Sequence, residues 1–325
     1  MSRSLKAHIL LVLVTFAWGA TFVSVKDALG VVSPLVFNAL RMATASVALV
    51  AIFWKELHVL SSRGRTTDSS PPSTSGLLLG GLLLGAFLWA GYSCQTVGLR
   101  FTTPSKSAFI TGMAVVLVPL IVAISGRRMP NRWTVLGVVS AFVGLYLMTI
   151  TPDHTLANNP TQANGVLEWG NLRALIGGIN LGDLITLGAP ITFAAHIYTL
   201  GKLTQRYPFK VISVLQVVAA AVLMTATIPL ETPRMSLTGQ AVFAILFTGL
   251  VCTAAAFSIQ AWAQQFTPPT HTALIFALEP VFAALTSYVL LGERLGARGT
   301  VGAILILGGI LVSELKGSSV EPIHQ

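Results

Sequence analysis

Apolar residues run through this chain in long blocks. Ten such blocks lie near 8–25, 35–54, 76–98, 106–125, 133–150, 181–200, 210–229, 240–262, 271–291 and 299–315. Charges or clusters of Pro and Gly separate them. A helix needs roughly 20 mostly apolar residues to cross a bilayer core, so each block predicts a membrane-spanning helix. Arg3 and Lys6 ahead of the first block resemble the start of a signal peptide. No small-x-small cleavage site follows cleanly, so the block is expected to remain as a helix. The connection over 55–75 carries Lys55, Arg63, Arg65, Pro71 and Pro72 and reads as a solvated linker. The connection over 151–180 contains a more apolar stretch, Val166 to Ile176, that suits the membrane surface.

Composition agrees. Of 325 residues, 54% are hydrophobic and 10% charged, and mean hydropathy is +0.77. A soluble globular chain is nearer a quarter charged. A cytosolic enzyme, a disordered chain and a secreted disulfide scaffold are therefore excluded. Cys94 and Cys252 both sit in apolar blocks and say nothing of redox compartment. The net charge of +9 would suggest nucleic acid in a soluble protein. Here it reads as topology. With ten spans and the N-terminus inside, inner segments hold 12 Lys and Arg and outer segments 7. The positive-inside bias thus places both termini in the cytoplasm, in an inner or plasma membrane.

The chain also repeats itself. Ser93, Gln95, Phe101, Thr102, Pro104, Ala108 and Ile110 match Ser258, Gln260, Phe266, Thr267, Pro269, Ala273 and Ile275 without gaps. Ser33-Pro34-Leu35 before the second block resembles Tyr207-Pro208-Phe209 before the seventh. Five spans per unit is odd, so the second unit enters the membrane inverted. The expected fold is an all-α membrane protein of ten transmembrane helices, built as two inverted five-helix repeats. The first repeat takes 1–150, an extracytoplasmic loop 151–180, and the second repeat 181–325. Secondary transporters use such repeats, with a substrate site near the midplane between them.

Short motifs add a resemblance. Trp18-Gly19, Ser33-Pro34 followed by Arg41, Glu279-Pro280 and Leu291-Gly292-Glu293-Arg294 occur in order over nearly the whole chain. In these the sequence resembles the drug/metabolite transporter superfamily, in its EamA-like branch of ten-helix permeases. The resemblance implies export of small metabolites, often amino acids or related amphiphiles, by alternating access. Departures exist: Val118-Pro119 and Gly126-Arg127-Arg128 stand where many members carry a Gly-Glu turn, and the second repeat has no Trp-Gly.

Eight residues are candidates for substrate binding or coupling. Arg41 lies inside the second span, where a charge must be paired or face water. It suits either a fork on a substrate carboxylate or a structural clamp on helix ends. Glu279 is the carboxylate placed deep in a span, suited to carrying a proton, to capping backbone freed by Pro280, or to pairing with Arg41. His196 fits a relay, or a hydrogen-bonded histidine inside the bundle. Trp18 and Tyr92, with Phe22, Trp89, Tyr198 and Trp262 behind them, fit a cavity that stacks on an amphiphile, or ordinary packing. Gln95 and Gln260, related by the repeat, are expected to bond across helices. His271 matches Lys106, and both are expected at the membrane interface. No metal-ligand spacing, nucleotide loop or nucleophile motif occurs. The expected partners are therefore a small-molecule metabolite, the lipid bilayer and protons as coupling ion, with no metal, cofactor, catalytic residue or nucleic acid. An exchanger of phosphorylated or nucleotide sugars, an integral membrane enzyme and a non-transporting scaffold are the rivals. The first needs a basic cluster in the cavity, and only Arg41 lies deep.

Overall fold

The computed structural model describes residues 2–62, 73–126, 131–149, 180–292 and 294–317. Among them the chain is helical throughout, with one isolated β-bridge, between Val32 and Met235. The helices in order are α1 (Arg3–Ala28), α2 (Pro34–Ile52), α3 (Trp54–Ser62), α4 (Thr74–Phe101), α5 (Pro104–Gly112), α6 (Ala114–Ser125) and α7 (Arg132–Thr149). Then follow α8 (Leu181–Thr186), α9 (Gly188–Leu203), α10 (Phe209–Thr227), α11 (Gly239–Gly249), α12 (Ala256–Ala263), α13 (Pro269–Phe276), α14 (Glu279–Leu291) and α15 (Ala297–Gly317).

Local chemistry sets the ends. Ser2, Ser73, Thr103, Asn180 and Thr238 each accept from a backbone N–H of the helix they precede. Pro34, Pro104 and Pro280 stand in first turns, where a missing N–H costs nothing. Gly292 closes α14 at φ 64°, a left-handed conformation that glycine adopts without a Cβ penalty. Lys26 Nζ donates to the carbonyls of Leu99 at 2.8 Å, Arg100 at 3.0 Å and Thr102 at 2.7 Å, satisfying the carboxyl end of α4.

Seven stretches are long and apolar enough to cross a membrane: Arg3–Ala28, Pro34–Ile52, Thr74–Phe101, Pro104–Ser125, Leu181–Leu203, Phe209–Leu230 and Gly239–Ala263. The apolar helices Val135–Gly144, Glu279–Leu291 and Ala297–Ser313 are shorter. Leu79, Ile124, Phe142, Ile191, Val222 and Val289 point outward and are exposed, as a lipid-facing surface requires.

The apolar blocks locate the helices, but four are not single rods. The sixth breaks at Leu187, between α8 and α9. The fourth breaks at Met113, and the ninth at Ala277-Leu278, the matching place in the repeat. The eighth contains a π-helical segment, Leu250–Ala255. The expected linker also begins as helix α3, tied to α10 by Glu56 and Lys210 at 2.5 Å. Its remainder, most of the 151–180 loop, and Arg127, Arg128 and Glu293 lie outside the described residues.

Small residues bring the helices close. A Cβ on Gly19 would sit 2.6 Å from Phe282 Cβ and 2.8 Å from the Glu279 carbonyl, so α1 and α14 touch through backbone. A Cβ on Gly81 would sit 2.5 Å from Leu215 Cβ, and one on Gly85 2.5 Å from Ala219 Cβ, both on α10. α7 and α15 pair through Gly309, whose Cβ would sit 2.5 Å from the Gly137 carbonyl. On another face, Ser33 N donates to the Arg234 carbonyl at 2.9 Å, and Glu231 Oε1 accepts from Leu35 N at 2.9 Å and Val36 N at 3.1 Å. The segment after α10 thereby holds the N-terminus of α2, where a carboxylate meets the positive end of the helix dipole.

Candidate functional site

A cavity opens where α1, α2, α4, α5, α6, α9, α12, α13 and α14 meet. Its volume is about 70 Å³. Seven of the eight sequence-derived candidates line it: Trp18, Arg41, Tyr92, Gln95, His196, Gln260 and Glu279. Pro280 does not. Its ring meets Gly112, where a Cβ would lie 2.7 Å from Pro280 Cγ, so it seats the second half of the ninth block against the fourth.

The π-helical segment organises one wall. Its Cys252 carbonyl faces two polar side chains. Trp18 Nε1 donates to that oxygen at 2.8 Å, and Arg41 Nη2 reaches it at 3.4 Å. Arg41 Nε donates to Thr253 Oγ1 at 2.8 Å, while Thr253 Oγ1 itself donates to the Thr248 carbonyl, five residues back, at 2.8 Å. Arg41 Nη2 also donates to Tyr92 Oη at 3.2 Å, and Arg41 Cζ lies 4.3 Å from the Tyr92 ring centroid. Arg41 is 5% exposed. Its Nη1 has no hydrogen-bond partner among the described residues, and the bonds through Nε and Nη2 tie α2 to α4 and to the π segment. Gly249 helps, because a Cβ there would lie 3.0 Å from the Arg41 carbonyl.

Glu279 is placed differently. It lines the cavity and keeps accessible surface, in the first turn of α14. Its carboxylate neither caps that helix nor forms an ion pair with Arg41 within 4 Å. Among the described residues it has no side-chain hydrogen bond. Two of the pairings weighed from sequence, the backbone cap and the Arg41 ion pair, are therefore corrected. The break at Ala277-Leu278 turns the carboxylate into the cavity instead.

The amides also diverge. Gln95 Nε2 donates to Thr111 Oγ1 at 3.2 Å. Gln260 is 1% exposed, and neither its Nε2 nor its Oε1 has a partner. The expected bond across helices is thus made by Gln95 and not by Gln260. Leaving such a group unmade costs about 1–3 kcal/mol. His196 Nε2 lies 2.8 Å from Gln216 Oε1, the hydrogen-bonded histidine that sequence reading set beside the relay.

Aromatic rings complete the lining. Trp18 lies 4.9 Å from Phe276 and 5.7 Å from Phe257, and Tyr92 lies 5.2 Å from Phe193 and 6.3 Å from Phe257. Phe193, Phe257, Phe276 and Thr253 were missed from sequence, because a Phe or Thr within an apolar block carries no mark of its partners. Trp89 and Trp262 are not among the lining residues. Trp89 donates to Thr227 Oγ1 at 3.2 Å, and Trp262 packs on Phe266 at 5.2 Å. Lys106 is buried and His271 exposed. No cluster of three His, Cys, Asp or Glu suited to a metal occurs among the described residues.

The arrangement of matched helices and cavity can be set beside known proteins. The model of the EamA-like transporter family matches residues 5–150 and again 180–315. The chain belongs to the EamA-like transporter family. An uncharacterized transporter of Archaeoglobus fulgidus is 27% identical over 315 residues, covering 97% of this chain and 87% of its own length. An uncharacterized transporter of Bacillus subtilis is 23% identical over 308 residues, covering 92% and 94%. A crystal structure superposes with a TM-score of 0.63 at 17% identity over 97% of this chain and 99% of that one, a likeness of fold. This EamA-like protein is thus a multi-pass membrane transporter, and its family membership agrees with the drug/metabolite transporter resemblance.

Proposed function

We propose that this EamA-like chain exports small metabolites, amino acids or related amphiphiles, by alternating access between two inverted five-helix halves, 1–150 and 181–325. The observation that carries the reading is the cavity, walled by residues from both halves and lined by rings, amides and one carboxylate. The two separate family matches and the paired breaks at Met113 and Ala277-Leu278 support the inverted repeat, with the three shorter apolar helices completing ten crossings. The cavity, about 70 Å³, is small beside the roughly 300 Å³ or more of a usual ligand pocket, so a metabolite enters when the halves move apart. The basic segments support cytoplasmic termini in the cell membrane. The free Glu279 carboxylate supports protons as the exchanged ion. The phosphorylated-sugar alternative finds little footing, since Arg41 is the one Lys or Arg among the lining residues and a phosphate calls for a basic cluster.

The test is flux through purified protein in liposomes. Labelled amino acids and amphiphiles should cross faster than through empty vesicles, and faster under a pH gradient. No acceleration for any small solute would overturn transport. Full gradient-driven flux in Glu279→Gln would overturn the proton role alone.

A further inference from the structure

We propose that Gln260 reads a carboxamide edge on the transported solute, an N–H and a C=O held side by side as in a primary amide, a lactam or a ureide. The proposal rests on the transporter reading and narrows its substrate class.

The first observation is a broken symmetry. Gln95 and Gln260 occupy matching places in the two repeats, and both line the cavity. Gln95 Nε2 donates to Thr111 Oγ1 at 3.2 Å. The residue that matches Thr111 in the second repeat is Phe276, which has no hydroxyl. Its ring packs on Trp18 at 4.9 Å. The chain thus satisfies one amide internally and puts a ring in the place of the other's partner.

The second is the state of the Gln260 amide. The residue is 1% exposed, and neither its donor nor its acceptor has a partner among the described residues. An unpaired buried amide costs stability, and an apolar side chain of like shape in its place is neutral or stabilising. An arriving solute that makes both missing bonds offsets that cost, and one that lacks them is rejected.

The third is which groups can make both bonds. A carboxylate has acceptors only and sets its negative charge against the Gln260 oxygen. An ammonium has donors only and leaves Nε2 unpaired. A ketone or an ester meets Nε2 alone. A second amide edge, turned head to tail, bonds both atoms at once: its N–H donates to Oε1 and its C=O accepts from Nε2. The rings of Trp18, Phe257 and Phe276 line the same cavity and suit an apolar body beside that edge. Arg41 Nη1 and Glu279 stay open to a charged group elsewhere on the solute, so the amide edge is selected independently of charge.

The test uses the purified full-length protein and isothermal titration with benzamide and acetophenone. The two share a phenyl ring and a carbonyl and differ in bearing NH2 or CH3. Benzamide should bind at least about tenfold more tightly. Gln260→Met keeps the length of the side chain and removes the amide. It should weaken benzamide at least about tenfold and leave acetophenone within about twofold. Undetectable benzamide binding, acetophenone binding as tight as that of benzamide, or an equal loss of both in Gln260→Met overturns the proposal. An amide that holds only water gives those results. Melting without solute is an independent measure. Gln260→Met should melt at or above the wild type, whereas Gln95→Met, which removes the donor to Thr111, should melt below it. A Gln260→Met protein that melts clearly below the wild type, or does not fold, makes Gln260 a structural residue and overturns the proposal. Flux of labelled amino acids and amphiphiles, with benzamide as competitor, separates the two readings. Flux that continues while benzamide neither binds nor competes sinks the amide site and leaves transport. Benzamide that binds while no solute crosses sinks transport and leaves the site.

Discussion

Trp18 and Cys252 meet through one hydrogen bond, indole N–H to backbone carbonyl, at 2.8 Å. The acceptor lies in the π-helical segment Leu250–Ala255. Trp18→Phe keeps a ring and loses the donor. Thermal melting in detergent should show a loss of about 0.6–1.5 kcal/mol, the usual worth of one such bond. An unchanged melting temperature would mean that the turn holds without it.

Arg41 and Thr253 should be energetically coupled. In a double-mutant cycle with Arg41→Gln and Thr253→Val, the pair should show an interaction of about 0.5–3 kcal/mol. Additive losses would return Arg41 to the role of a substrate anchor.

Gly19 lets α1 and α14 touch. Gly19→Leu places a side chain where a Cβ alone would lie 2.6 Å from Phe282 Cβ. Overpacking should cost about 1–3 kcal/mol, measured by melting, and flux should fall with it. Gly239, where a Cβ meets nothing within 4 Å, is the control: Gly239→Ala should melt with the wild type.

Glu231 holds the N-terminus of α2 by two backbone N–H groups. Glu231→Ala should destabilise the protein by about 1–2 kcal/mol, with Glu231→Asp intermediate, because the shorter side chain reaches the same amides less well. Equal melting of all three would remove the latch from the fold's supports.

Glu56 and Lys210 make a half-buried pair between α3 and α10. The Lys210 hydrogen bond holds the Glu56 carboxyl below its usual range. A lowered carboxylate contributes stability that is present at neutral pH and lost as pH falls through the folded value. Melting between neutral and acid pH should therefore fall slightly more steeply in wild type than in Glu56→Gln, and salt should erase the difference. A steeper fall in Glu56→Gln would reverse the sign and refute the assignment.

The helix positions were legible because apolar length is a property of the chain alone. Every apolar block is helical where it is described. The interruption at Ala277-Leu278 was legible, because Pro280 lacks an N–H and frees a carbonyl in the preceding turn. The break at Met113 and the π segment were not, since their residues look like ordinary span residues. Arg41, Glu279 and Gln260 stood out because polar groups are rare in such blocks. Their roles did not, since whether Arg41 clamps or waits depends on a carbonyl at Cys252, more than two hundred residues away. Helix α3 was hidden by the Ser- and Pro-rich stretch that follows it.

The π turn in Leu250–Ala255 inserts about one residue beyond the regular helical count. Each residue advances a helix by about 100°. Deleting one residue there would swing everything after it around the axis by that angle, taking Phe257 and Gln260 away from the cavity while their identities stayed the same. Which face this helix shows its cargo is therefore a matter of phase, and a homologue that lacks the extra residue would present a different set of side chains from an equally similar sequence.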